Sequence, residues 1–130
     1  MTHDTSKLFA TVPKKDYLNL MDQDEPRYKD VVAFLGLKVK DVAEATGIPA
    51  ASVRFDAKMP SELADRVREW IVVINLVAGF FDGSREKTFL WFTVPNPLLG
   101  GLAPRQMIRF GRFRKLFRLV TQAIDENRKP

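Results

Sequence analysis

Catalysis by side chains needs a nucleophile, a proton shuttle or a metal-binding set, and this sequence is poor in all three. It contains no cysteine, which removes disulfides, thiolate ligands and a thiol nucleophile together. Its one histidine is His3, set in a polar N-terminal tail. Neither a histidine-based zinc site nor a serine–histidine dyad within one chain is expected from that. No glycine-rich phosphate loop is present either. The expectation is a chain that acts by binding, is not an enzyme and takes no cofactor.

Two groups of residues could bind. The first is cationic. The net charge is +5 and the pI about 9.7, a balance that suits nucleic acid, an acidic membrane surface or an acidic protein. The excess sits at one end: residues 101–130 hold eight Lys/Arg against two acids, whereas residues 38–69 hold six of each sign. Within the neutral stretch, Lys38, Lys40, Ser52, Arg54 and Lys58 are the candidates for DNA contact, the lysines gripping phosphates and Ser52 and Arg54 reaching bases or phosphates. Asp56 beside them repels phosphate. The second group is the string VPNPLLGG, residues 94–101, with two prolines and two glycines in eight residues. That density specifies a rigid, non-helical turn.

Helices must position these groups. Residues 1–27 read as loosely ordered, with an acidic loop at 22–26. A short helix over 28–35 ends at Gly36. Val39, Val42 and Ala43 then give helical spacing, Gly47 makes a tight turn, and Pro49 opens a second short helix over 50–55 with Val53 facing inward. Helix, glycine turn and helix form a helix-turn-helix signature; two plain short helices of an all-α domain give the same pattern. A long helix starts after Met59 and Pro60. Its Leu63, Val67, Trp70, Ile71, Ile74, Val77, Ala78 and Phe81 recur at steps of three and four. From Trp70 on it is apolar nearly all round, apart from Asn75. That helix is either core or a homodimer seam made by Trp70, Ile71, Ile74, Val77 and Phe81.

Asp82 and Gly83 break the long helix, and Ser84 caps the next, which carries Phe89, Leu90, Trp91 and Phe92. After the proline–glycine turn, Pro104 opens another helix and Gly111 interrupts it. The last helix has Phe113, Leu116, Phe117, Val120 and Ile124 on one face, flanked by Arg112, Arg114, Lys115 and Arg118. The most apolar run, residues 70–81, has about 12 residues against the roughly 20 that span a bilayer. No signal peptide is visible, so a cytoplasmic protein without membrane attachment is expected.

The stretch DGSREKTFLWFTVPNPLLGGLAPRQMI, residues 82–108, resembles the C-terminal domain of the Xre/MbcA/ParS antitoxin family. Gly83, Trp91, Pro95, Asn96, Pro97, Leu99, Gly100, Gly101 and Pro104 carry the likeness, which extends to the preceding segment and covers roughly residues 30–127. The resemblance implies an all-α fold: an Xre-like helix-turn-helix, a long linker helix and a small helical C-terminal toxin-binding domain. With the flexible segment at 1–27 left outside it, the division expected is a helix-turn-helix and dimerisation region at 28–81 and an antitoxin, toxin-binding domain at 82–130. The resemblance also implies an antitoxin that binds an RES-type, NAD-consuming toxin, covers its active-site cleft and represses its own operon by binding operator DNA as a homodimer. Trp91, Pro95, Asn96, Pro97, Leu98, Leu99, Gly100, Gly101 and Leu102 are then the toxin-contacting residues. A stiff turn loses little entropy on docking, and its leucines supply anchoring apolar area. The alternative is a stand-alone helix-turn-helix transcriptional regulator in which the turn merely reverses the chain and packs on Trp91.

Overall fold

The computed structural model describes residues 15–128; His3 and Lys129 lie outside the described residues. Six helices and one two-stranded hairpin make up the secondary structure, so the all-α expectation holds. The order is β1 (Met21–Asp22), β2 (Glu25–Pro26), α1 (Tyr28–Phe34), α2 (Val39–Thr46), α3 (Ser61–Phe80), α4 (Arg85–Thr93), α5 (Pro104–Arg109) and α6 (Phe113–Arg128). Single 3-10 turns at Ala50–Ser52 and Pro97–Leu99 complete the path. Among the described residues no helix is long and apolar enough to cross a membrane.

Helix α3 explains the arrangement. Its second half offers apolar side chains in almost every direction, and the chain supplies a neighbour in each: α3 packs against β2, α1, α2, α4 and α6. Trp70, Ile71, Val73, Ile74, Val77 and Ala78 are all buried. This corrects the dimer-seam expectation. Trp70, Ile71, Ile74 and Val77 already bury their surface inside their own chain, and Phe81 is half-buried against the same core. What α3 leaves outward is Val72 and Leu76, half-buried, and Phe80, exposed.

The described part of the N-terminal segment is ordered, a second correction. The Asp16 carboxylate accepts the backbone N–H groups of Leu20 and Met21 at 2.8 and 2.9 Å, turning the chain into the antiparallel β1–β2 pair. Leu18 and Leu20 enter the core. The Tyr17 N–H donates to Asn75 Oδ1 at 3.2 Å, and its ring lies so close to Gly79 that a Cβ there would sit 3.1 Å from it. Gly79 therefore admits the segment onto α3.

The expected second helix over 50–55 is a third correction. The chain makes one 3-10 turn, with Ser52 N–H donating to the Pro49 carbonyl at 2.8 Å, and Val53 is already extended. Three interactions, one tertiary and two local, win over helix. The Phe55 ring stacks on Tyr28 with centroids 6.2 Å apart. Asp56 accepts the Lys58 backbone N–H at 3.0 Å, the short side-chain-to-backbone closure that competes with helical bonding. Pro60 then biases Met59 away from the helical region. The first half of the motif is as expected: α2 ends at Gly47 with φ +76.

Two ion pairs join α5 to α2, and another lies within α3. Arg109 of α5 reaches Asp41 at 3.1 Å and Glu44 at 3.5 Å on α2. On α3, Glu69 is buried and pairs with Arg66 at 2.8 Å. Burial raises the Glu69 pKa above the ordinary carboxylate value, with Arg66 and Arg114 pulling it down and Asp65 pushing it up. A raised folded-state pKa means that the folded chain holds this proton more tightly than the unfolded one, so stability falls as pH rises from the unfolded value toward neutrality. Glu69→Gln is expected to melt at or above the parent temperature at pH 7, with the difference shrinking as pH drops toward about 4. Thermal melts by circular dichroism check this, and a variant less stable than the parent at pH 7 contradicts it.

Candidate partner-binding ridge

Helix α4 begins because Ser84 caps it: the Ser84 hydroxyl oxygen accepts the Lys87 N–H at 3.2 Å. It stops because Val94 precedes Pro95 and is forced extended. Four successive large apolar residues, Phe89 to Phe92, cannot all face one core. Phe92 goes in, Trp91 is half-buried, and Phe89 and Leu90 stay exposed. Phe89 meets Phe34 of α1 edge-on at 5.8 Å. Arg85 lies over the same Phe34 ring at 5.4 Å, and these residues, with Asp30, Ala33 and Glu86, line an open groove of about 550 Å³.

The proline–glycine turn is organised by one residue, Asn96. Its backbone N–H donates to the Leu102 carbonyl at 2.9 Å, and its carbonyl accepts from Leu99 at 2.9 Å and Gly101 at 3.1 Å. Its side-chain oxygen accepts the Leu98 N–H at 2.9 Å. The turn is thus closed on itself. Gly100 and Gly101 take φ values of +67 and +88, a region that costs little only for glycine.

The turn sorts the expected contact residues. Leu99 points into the core at 7% exposure, while Leu98 stands out at 73%. Pro95, Pro97, Gly100 and Gly101 are exposed, and Asn96 and Leu102 are half-buried. Trp91 packs edge-on against Phe92 at 5.0 Å and borders a cleft of about 200 Å³ with Val77, Phe81 and Val120. Leu99 is therefore corrected from a surface anchor to a core residue: consecutive side chains of a 3-10 turn point about 120° apart, so Leu99 reaches the core while Leu98 faces out.

Sequence reasoning missed Phe89, Leu90 and Val94. Four of the eight exposed large hydrophobics among the described residues fall in the ten positions from Phe89 to Leu98. Single apolar groups scattered on a surface are ordinary, whereas a concentration of them is a candidate for contact with a partner. Burying one leucine fully is worth about 1.5–3 kcal/mol, so a partner that covers this ridge gains several such contributions. The run of four bulky residues in a nine-residue helix is the signal that could have found them.

The expected DNA-contacting residues are all exposed: Lys38, Lys40, Ser52, Arg54 and Lys58. Two of them are placed differently from residues along a recognition helix. Arg54 is bound to Asp56 through Nε at 2.8 Å, a pairing that holds the Asp56 carboxyl below the usual range. Ser52 ends a single turn rather than lying along a helix.

The chain is a small all-α fold with a self-closed turn and exposed apolar side chains beside it. No family model matches the chain, and no curated protein matches it. Among solved structures, it is similar to a chain from the crystal structure of the M. tuberculosis MbcT-MbcA toxin-antitoxin complex. The identity is 22%, the TM-score 0.51, and the match covers 79% of this chain and 94% of that chain. At that identity the likeness is one of fold.

The two leucines make a paired test of the turn. Leu99→Ala should destabilise the chain by about 2–5 kcal/mol, the range for truncating a buried leucine. Leu98→Ala should stay within about 0.5 kcal/mol of the parent. Urea denaturation distinguishes them, and equal losses would contradict the inward–outward assignment.

Proposed function

We propose that the chain is the antitoxin of a type II toxin–antitoxin pair, neutralising an RES-type, NAD-consuming toxin by covering its active-site cleft. It does so as a binding protein and not as an enzyme. The observation that carries this reading is the Asn96-closed turn, which holds Leu98 73% exposed at its tip beside an apolar helix. Such a turn is ordered before it meets a partner, so docking costs little additional entropy. The fold likeness to a chain of a toxin–antitoxin complex supports the same reading, as does the PNPLLGG string with its upstream Trp91. In this reading Leu98, Val94, Leu90 and Phe89 enter the toxin cleft or its rim, with Pro95, Pro97, Gly100 and Gly101 alongside. Leu99, Asn96 and Leu102 hold the shape.

Co-expression tests it. Placed with the product of the adjacent reading frame in a growth assay, the parent should restore growth and be recovered bound to that product. Leu98→Asp combined with Leu90→Asp should abolish rescue and weaken binding at least tenfold, while the free variant keeps the parent's circular dichroism spectrum. Full rescue by the double variant would remove the ridge from the mechanism.

A homodimer, expected from α3, would use the outward stripe Val72, Leu76 and Phe80 in place of the buried residues. Phe80→Asp should then shift a dimer to monomer in velocity sedimentation at micromolar concentration. A parent that sediments as monomer at that concentration ends the dimer reading.

A further inference from the structure

The stretch RFGRFRKLFR, residues 109–118, holds five cations and no acid. The structure separates them. Arg109 is committed to Asp41 and Glu44 of α2. Arg112, Arg114, Lys115 and Arg118 are exposed, and among the described residues none of them forms an ion pair within 4.0 Å. Partial compensation comes from the buried carboxyl of Glu69, whose field includes Arg114. The orientation of this face is fixed, because Phe113, Leu116, Phe117 and Val120 on the opposite side are buried in the core. Within α6 the spacings of three and four residues, 115 to 118 and 114 to 118, place like charges beside one another, which opposes helix stability.

We propose that the solvent face formed by Arg114, Lys115 and Arg118 of α6, with Arg112 immediately before the helix, is a binding surface for the phosphate backbone of duplex DNA. It is distinct from the residues around the 3-10 turn at Ala50–Ser52, and it does not rest on the antitoxin reading. The match is one of charge density. At 1.5 Å of rise per residue, residues 112–118 span roughly 9 Å, and a duplex carries one negative charge per about 1.7 Å of its axis. Three of the four cations are arginines, whose planar fork fits phosphate oxygens. An acidic protein partner fits less well, because residues 109–127 expose a single large hydrophobic side chain, Phe110, whose ring is already covered in part by Arg109, too little for a desolvated anchor cluster. A membrane surface fits less well too: an interfacial helix needs its apolar face free, and that of α6 is occupied. Backbone contact carries no base specificity, so the binding is sequence-independent.

Fluorescence anisotropy with a labelled 20-base-pair duplex of random sequence tests this on the full chain without any toxin. The parent should bind, with log K falling steeply against log salt between 50 and 200 mM KCl. Arg112→Gln/Lys115→Gln/Arg118→Gln should bind at least tenfold more weakly at 100 mM salt. Its salt slope should be shallower by about 0.9 for each phosphate that is no longer neutralised, near 3 in all. Lys38→Gln/Lys40→Gln/Lys58→Gln should bind as the parent does. A melting temperature within a few degrees of the parent shows that both triple variants fold. The proposal is overturned if the parent does not bind the duplex or if the α6 variant binds unchanged. It is likewise overturned if poly-glutamate or phosphatidylserine vesicles compete as strongly as duplex at equal charge.

Discussion

The constraint on which this structure depends is the burial of the second half of α3. A helix with Trp70, Ile71, Val73, Ile74, Val77 and Ala78 in sequence has no polar side to give to water, so it must be enclosed. In a chain of 130 residues enclosure takes nearly every other element. The hairpin and its Leu18–Leu20 approach close one side, α1 and α2 a second, α4 and α6 the rest. Gly79, Asn75 and Asp16 are consequences of that need: one gives room for the Tyr17 ring, one anchors its backbone, and one bends the chain that follows. The buried Glu69 is the cost of the arrangement, a charge carried into the enclosure and held there by Arg66 and Arg114.

The ridge follows from the same enclosure. Helix α4 packs on α3 and α5 through Phe92 and Thr88, both fully buried. Once those positions are taken, its remaining bulky residues have nowhere inside to go. The turn that follows behaves differently from an ordinary loop. Asn96 satisfies its own backbone groups and its neighbours' from within, so the turn needs no outside support beyond Leu99 as an anchor. A loop that has already closed its hydrogen bonds can present an apolar tip without also presenting unpaired amides, whose desolvation would work against binding.

Much of the fold is legible because the chain marks its helix ends with residues of one meaning. Gly36, Gly47, Gly83 and Gly111 all adopt the positive φ that stops a helix, Ser84 caps and Pro104 opens. The failures share a cause as well. Composition favours a helix over 50–55, but Asp56 and the Phe55–Tyr28 stack, the latter set by tertiary placement, override it. The hairpin at 21–26 has no alternating apolar pattern, since it is held by Asp16 and by Leu20 rather than by its own strands. The apolar surplus of α3 suggests a dimer seam only because its recipients lie elsewhere in the same chain. At the site, the turn itself is readable as a string, but which leucine faces out depends on the φ of Gly100 and the reach of Leu99 to the core. Turn type is encoded locally; the direction of the side chains is settled by what the turn packs against.

Charge and apolar surface are separated along the C-terminal part of the chain, and the separation bears on what each surface offers electrostatically. The positions from Phe89 to Leu98 contain no ionisable group, while residues 109–118 contain five cations. Mixed on one face, the two would weaken each other, because covering the apolar groups would strip water from unpaired arginines. Kept apart, the ridge offers desolvation with little electrostatic cost, and the α6 face offers long-range attraction with no desolvation of apolar surface. Helix α5 lies between them, packed on both α4 and α6 and tied to α2 by Arg109. That tie neutralises the one cation of the run that belongs to α5 itself, and so it keeps the border between the two surfaces sharp.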